Sequence, residues 1–147
     1  RASRPNTKMV FTFTAHGHSS ILSSHPTTLE ITTEPHLTKR GDCIIAVKAE
    51  YGLQDIPSNI KKALSTEKGH GKLTIRVQGQ TFTVEGRGSG GLAFTNPKEI
   101  VVRKSGFLSD RTLMVYANKA ADDIPRRMVK LLRDPAQIIT IEISANP

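Results

Sequence analysis

The chain is written twice. Sliding it by 71 residues lays Phe11 on Phe82, Thr12 on Thr83, Gly17 on Gly88 and Pro26 on Pro97. At the same offset "LTKRGDCIIAVKA" lies on "LSDRTLMVYANKA", matching Leu37, Arg40, Ala46, Lys48 and Ala49 with Leu108, Arg111, Ala117, Lys119 and Ala120. Three residues then drop out and "DIPSNIKKAL" meets "DIPRRMVKLL"; two more drop out and "LTIRV" meets "ITIEI". Chance rarely preserves such an order of features. A repeat also restricts the fold, because neither copy buries its apolar face alone and the two have to share one core.

Each copy reads as strand, strand, strand, helix, strand. In the first, Phe11, Phe13 and Ala15 alternate with polar residues, and Leu29 and Ile31 alternate with Thr28, Glu30 and Thr32. "RGD" at Arg40–Asp42 makes a turn before a near-continuous apolar strand from Cys43 to Ala49. Asp55 is placed to cap a helix entering through Pro57, with Ile60, Ala63 and Leu64 inward. Leu73, Ile75 and Val77 alternate in a fourth strand, and Gly79 suits a tight hairpin into the second copy. That copy has strands from Phe82, near Ile100 and at Leu113, a helix from Asp123 to Arg133, and a last strand through Ile139, Ile141 and Ile143. The expected architecture is α+β, mostly β. Two pseudo-twofold halves (11–81 and 82–147) form one closed or nearly closed β-barrel-like core with two flanking helices, behind a basic tail at residues 1–10.

Composition narrows the function classes. No stretch is apolar enough to span a membrane, and one cysteine, Cys43, cannot form an internal disulfide, so the expectation is a cytoplasmic protein. Twenty-one basic against thirteen acidic side chains give a formal charge of +8. The surplus is spread along the chain: three basic and no acidic residues in the tail, then eight against six, then ten against seven. Such an excess accompanies polyanionic partners. Lys61 and Lys62 on the first helix and Arg126, Arg127, Lys130 and Arg133 on the second face away from the core residues. They are the candidate phosphate contacts to a structured RNA. Their plain alternative is a solvated helix face. Aromatic residues are too few for a single-strand stacking platform.

The segments "GHSSILSSHPTTLEIT", "LTKRGDCIIAVKAEYG" and "DRTLMVYANKAADDIP" resemble an uncharacterised archaeal protein family of about this length, "RGDCIIAVKA" most specifically. The resemblance implies an archaeal cytoplasm and a duplicated domain. It transfers no catalytic role.

The alternative to RNA is a small-molecule or metal-dependent enzyme or binder, with a histidine-rich cleft between the halves. His16, His18 and His25 fall within ten residues, and three imidazoles plus water make an open site for one divalent metal. The same histidines also fit a strand followed by a turn. The repeat replaces His16 and His18 by Arg87 and Ser89, which excludes a symmetric two-metal site. "GRGSGG" matches GxGxxG, but an extended segment rather than a helix follows it, so no dinucleotide site is expected. Arg87, Gly88 and Ser89 remain candidates for an anion nest, against a simple close strand crossing. The catalytic candidates are His18, His25, Asp42 and Cys43, with Cys43 a nucleophile only if a cation or base lies beside it.

Overall fold

Alternation of apolar and polar side chains produces eight strands, and their pairing follows from the duplication. The computed structural model describes residues 9–37 and 41–147. In chain order the first half gives β1 (Met9–His16), β2 (Thr28–Thr32), β3 (Ile44–Ala46), a 3-10 turn (Leu53–Asp55), α1 (Ser58–Ala63) and β4 (His70–Val77). The second half gives β5 (Gln80–Arg87), β6 (Glu99–Arg103), β7 (Thr112–Met114), a 3-10 turn (Ala121–Asp123), α2 (Arg126–Leu132) and β8 (Ile138–Asn146).

The strands form two four-stranded sheets, ordered β1-β8-β4-β5 and β3-β2-β6-β7. The expected closed barrel is therefore replaced by two separate sheets over one core. At two corners the sheets touch through one bridged pair, His16 with Val47 and Arg87 with Val115, and one further bond, from Glu50 N–H to the Thr14 carbonyl and from Asn118 N–H to that of Glu85. One pair per corner does not continue a ladder. β3 and β7 are three residues long and pair parallel to β2 and β6, so they end before they could extend along β1 and β5. Both sheet orders read the same from either end once the halves are exchanged. A pseudo-twofold axis thus runs between β4 and β8 in one sheet and between β2 and β6 in the other. In the second sheet Glu30 lies directly opposite Val101, the residue it matches in the repeat. That pair sits on the axis.

Hydrogen bonds correct the alignment of the halves. Glu30 N–H donates to the Cys43 carbonyl, and Val101 N–H donates to the Arg111 carbonyl. Ser24 and His25 N–H reach the Asp42 carbonyl as Thr95 and Asn96 N–H reach that of Asp110. Cys43 is therefore the counterpart of Arg111, and Lys48 of Tyr116, both with left-handed φ (52° and 51°). The three-residue deletion falls between Glu34 and Asp42, ahead of β3 and not after it. A loop absorbs a deletion, whereas an odd slip within a strand would exchange its two faces.

The core follows the repeat closely. Leu29, Ile31, Ile45, Ile60 and Leu73 are buried, as are their counterparts Ile100, Val102, Leu113, Met128 and Ile139. α1 packs on β1 and β8, and α2 on β3 and β4. Both helices start later than expected. Ile56 and Ile124 precede prolines and are extended, which separates each 3-10 turn from its helix. The Asp55 and Asp123 carboxylates accept from Gly52 and Ala120 N–H, capping the 3-10 turns instead. The hairpin is as expected, with Gln78 (φ 50°) and Gly79 (φ 76°) both left-handed. The basic residues of the expected tail, Arg1, Arg4 and Lys8, and Arg40 of the expected "RGD" turn lie outside the described residues.

Candidate functional site

The histidines turn out to be turn chemistry. His25 Nδ1 accepts from Thr27 N–H (3.2 Å) and Thr28 N–H (3.0 Å). Its counterpart Asn96 does the same, with Oδ1 accepting from Lys98 (2.9 Å) and Glu99 (2.8 Å). His18 Nδ1 accepts from Ser20 N–H (3.0 Å), as Ser89 Oγ accepts from Gly91 N–H (3.3 Å). Short acceptors two residues before a backbone donor close such turns whatever their side-chain type. His16 ends β1 at one corner, while Arg87 ends β5 on the opposite edge of the sheet, two strands between them. The pairing also sets them at opposite ends of β8, beside Ile138 and Asn146, so about 30 Å separates them and one site does not collect them. Among the described residues no group of three or more His, Cys, Asp or Glu side chains is placed to hold a metal ion.

The glycine segment is a close crossing. A Cβ on Gly88 would meet the Leu64 and Thr66 carbonyls at the end of α1, and one on Gly17 would meet those of Leu132 and Asp134 at the end of α2. Every N–H from Arg87 to Gly91 already has an acceptor within the chain: Val115, Gly69 and Leu64 carbonyls, the Glu67 carboxylate and Ser89 Oγ. That leaves no nest for an anion.

On the helices, Lys62, Arg127, Lys130 and Arg133 are exposed. Two of the six basic candidates serve the fold instead. Arg126 donates to the Leu22, Ser23 and Ile124 carbonyls (3.1, 2.7 and 3.0 Å), and Lys61 donates to the Gln54 carbonyl (2.5 Å).

The chemistry gathers on the outer face of the second sheet. A cleft of about 450 Å³ is lined by residues of both halves, Glu30, Cys43, Glu99 and Arg111 among them, with His36 its one histidine. Glu30 is 5% exposed. Its Oε1 receives the Cys43 thiol (3.6 Å) and lies 3.6 Å from Arg111 Nη1, which donates to Glu99 Oε1 at 2.6 Å. Burial and then the neighbouring Glu99 charge push the Glu30 carboxyl up from 4.5 to about 7, against the partial opposition of Arg111 and Cys43. A hydrogen bond shared with the Glu99 carboxyl adds to the rise. Burial and a like charge both disfavour the ionised form, so Glu30 keeps its proton up to about pH 7. Burial, and then the charge of Glu30, push the Cys43 thiol up to about 12, which makes it a protonated donor and not a standing thiolate nucleophile. Asp42, the other catalytic candidate, contributes its backbone carbonyl to the neighbouring turn.

Sequence reading missed Glu30, Glu99 and Arg111 because all three fall on the polar phase of their strands or turns. One signal was available. In the repeat Glu30 lies on Val101, a carboxylate against an aliphatic residue at one position of one fold.

Residues 13–146 match the model of a domain of unknown function, DUF371. The uncharacterized protein MJ0206 of Methanocaldococcus jannaschii is 39% identical over 131 residues, covering 89% of this chain and 96% of its own length. No helix among the described residues is long and apolar enough to cross a membrane. With the family match spanning both halves and the cleft between them, the chain belongs to the DUF371 family.

Proposed function

We propose that the protein handles a small molecule in the cleft between its halves, with Glu30 and Glu99 acting as a proton-exchanging pair that Arg111 holds in place. The observation that carries this reading is a buried carboxyl that the fold does not require. Val101 occupies the twin position on the pseudo-twofold axis and is fully buried there. The inward-facing positions stay apolar in both halves. The outward ones have diverged into charged and polar groups: Thr28 with Glu99, Thr32 with Arg103 and Cys43 with Arg111. A carboxyl near pH 7 is suited to give and take protons at that pH, the requirement for general acid–base chemistry. This is the small-molecule alternative with carboxylates, a thiol and a guanidinium where histidines were expected. A cytoplasmic setting fits the free thiol of Cys43.

The test is a titration of glutamate side-chain carboxyls by 13C NMR. Glu30 is expected to titrate near pH 7, and its midpoint to fall in E99Q, which removes the second carboxylate. A Glu30 that titrates with the exposed glutamates overturns the reading.

A second reading, association with structured RNA, draws on the exposed Lys62, Arg127, Lys130 and Arg133 on two helices that the pseudo-twofold axis relates. It predicts a steep loss of affinity with salt, because each neutralised phosphate releases counterions. The variant to use is R127E/K130E, because Arg126 is engaged by three carbonyls of the fold.

A further inference from the structure

The lining of the cleft says what kind of molecule it accepts. Among the described residues three carboxylates face it, from Glu30, Glu34 and Glu99, against the guanidinium of Arg111. Arg111 is committed to Glu99 at 2.6 Å, and Glu34 lies 3.5 Å from Lys98 Nζ. An anionic ligand would have to displace Glu99 from Arg111 among the remaining carboxylates, at the cost of leaving a carboxylate unpaired. A metal ion lacks the three-ligand grouping it needs among the described residues. Glu30 Oε1 meets both the Cys43 thiol and Arg111 Nη1. The Glu99 carboxyl lies beside it, so the two carboxyls face the cleft together. An organic ammonium or guanidinium donates to carboxylates in this way, and its stem has Ile44 to lie against.

Resting on the small-molecule reading above, we infer that the cleft binds the cationic end of a small amine or guanidine, with Glu30 and Glu99 as its acceptors. Binding then fixes Glu30 in the ionised form and expels the proton it holds. The balance is simple: the ammonium keeps its protons, and the Glu30 proton leaves to solvent.

The experiment is a titration of the whole protein with ethylamine, putrescine and agmatine at pH 5.5 and pH 8, with acetate and inorganic phosphate as controls. Backbone amide NMR locates the site, and calorimetry in two buffers of different ionisation enthalpy counts protons. We expect shifts centred on residues 30, 43, 99 and 111, with about half a proton released at pH 7 and close to one at pH 5.5. Affinity should be about 30-fold higher at pH 8 than at pH 5.5, the factor that follows from deprotonating a group of pKa about 7. E30Q should flatten that pH dependence, and E30V, which copies the twin position, should abolish the binding while leaving the fold intact. Amines that leave these residues unmoved at pH 8 overturn the inference, as does binding by acetate or phosphate at the same residues. Either result leaves the proton-exchanging pair standing if the Glu30 carboxyl still titrates near 7. A normal Glu30 titration removes the underlying reading instead.

Discussion

Replacing Glu30 by Gln tests the energetic core of the argument, because it keeps the shape of the side chain and removes its titration. In the folded chain the carboxyl holds its proton up to about pH 7, whereas in the unfolded chain it releases it near 4.5. Between those values the folded state binds more protons than the unfolded one, so this group's contribution to stability falls as pH rises through the window. Integrating one titrating group over that difference gives a loss of roughly 2 to 3 kcal/mol between pH 5 and pH 8. The measurement is the stability difference between E30Q and the unmodified protein, taken by urea unfolding at each pH, so that all other titrating groups cancel. The difference should grow in favour of E30Q by that amount. In thermal unfolding it should appear as roughly 5–10 °C for a chain of this size. E30V should follow the same trend, because Val101 shows that the position accepts an aliphatic side chain and Glu99 remains to pair with Arg111. A difference that stays constant from pH 5 to pH 8 would refute the reasoning, since it would mean that Glu30 titrates alike folded and unfolded.

Three further outcomes follow from the same structure. Cys43, with its thiol pushed up to about 12, should alkylate with iodoacetamide at pH 8 far more slowly than a free thiol. E30Q should speed it, because Glu30 supplies both a charge and a hydrogen bond that hold the proton on sulfur. Gly17→Ala and Gly88→Ala should each cost roughly 2 kcal/mol or more by denaturant unfolding, because the new methyl would meet helix-end carbonyls and not a side chain that can turn away. His25→Asn should leave stability within about 0.5 kcal/mol, since Asn96 already closes the equivalent turn, whereas His25→Ala should cost about 1 kcal/mol by analogy with lost capping groups.

Periodicity and repetition made most of the fold legible. Strand alternation is a local property, and the match of the halves carried the symmetry, because residues facing one shared core have to stay apolar in both copies. Closure was not legible. Whether two curved sheets join depends on where β3 and β7 stop, and three-residue strands leave little periodic signal. The position of the deletion was misread for a related reason. Ala46 on Ala117 and Lys48 on Lys119 look like matches, but the backbone pairs Lys48 with Tyr116 through a shared left-handed conformation that letters do not show.

The site was harder to read than the fold, because its residue types point the wrong way. Histidines attract attention in a sequence as metal ligands, yet a ring nitrogen accepting a backbone N–H serves the same purpose as the asparagine oxygen that replaces it in the second half. Glutamate on the polar phase of a strand is the most ordinary of residues. Glu30 becomes unusual only when the sheet places it on the axis, within reach of an acid and a guanidinium from the other half. Duplication supplies the control that a single sequence otherwise lacks, since each position of one half is a substitution already made in the other. Where both halves agree, as at Leu29 and Ile100, the residue answers to the core. Where they differ, as at Glu30 and Val101, the carboxyl answers to something the fold does not need, and a molecule in the cleft that it lines is what it can meet.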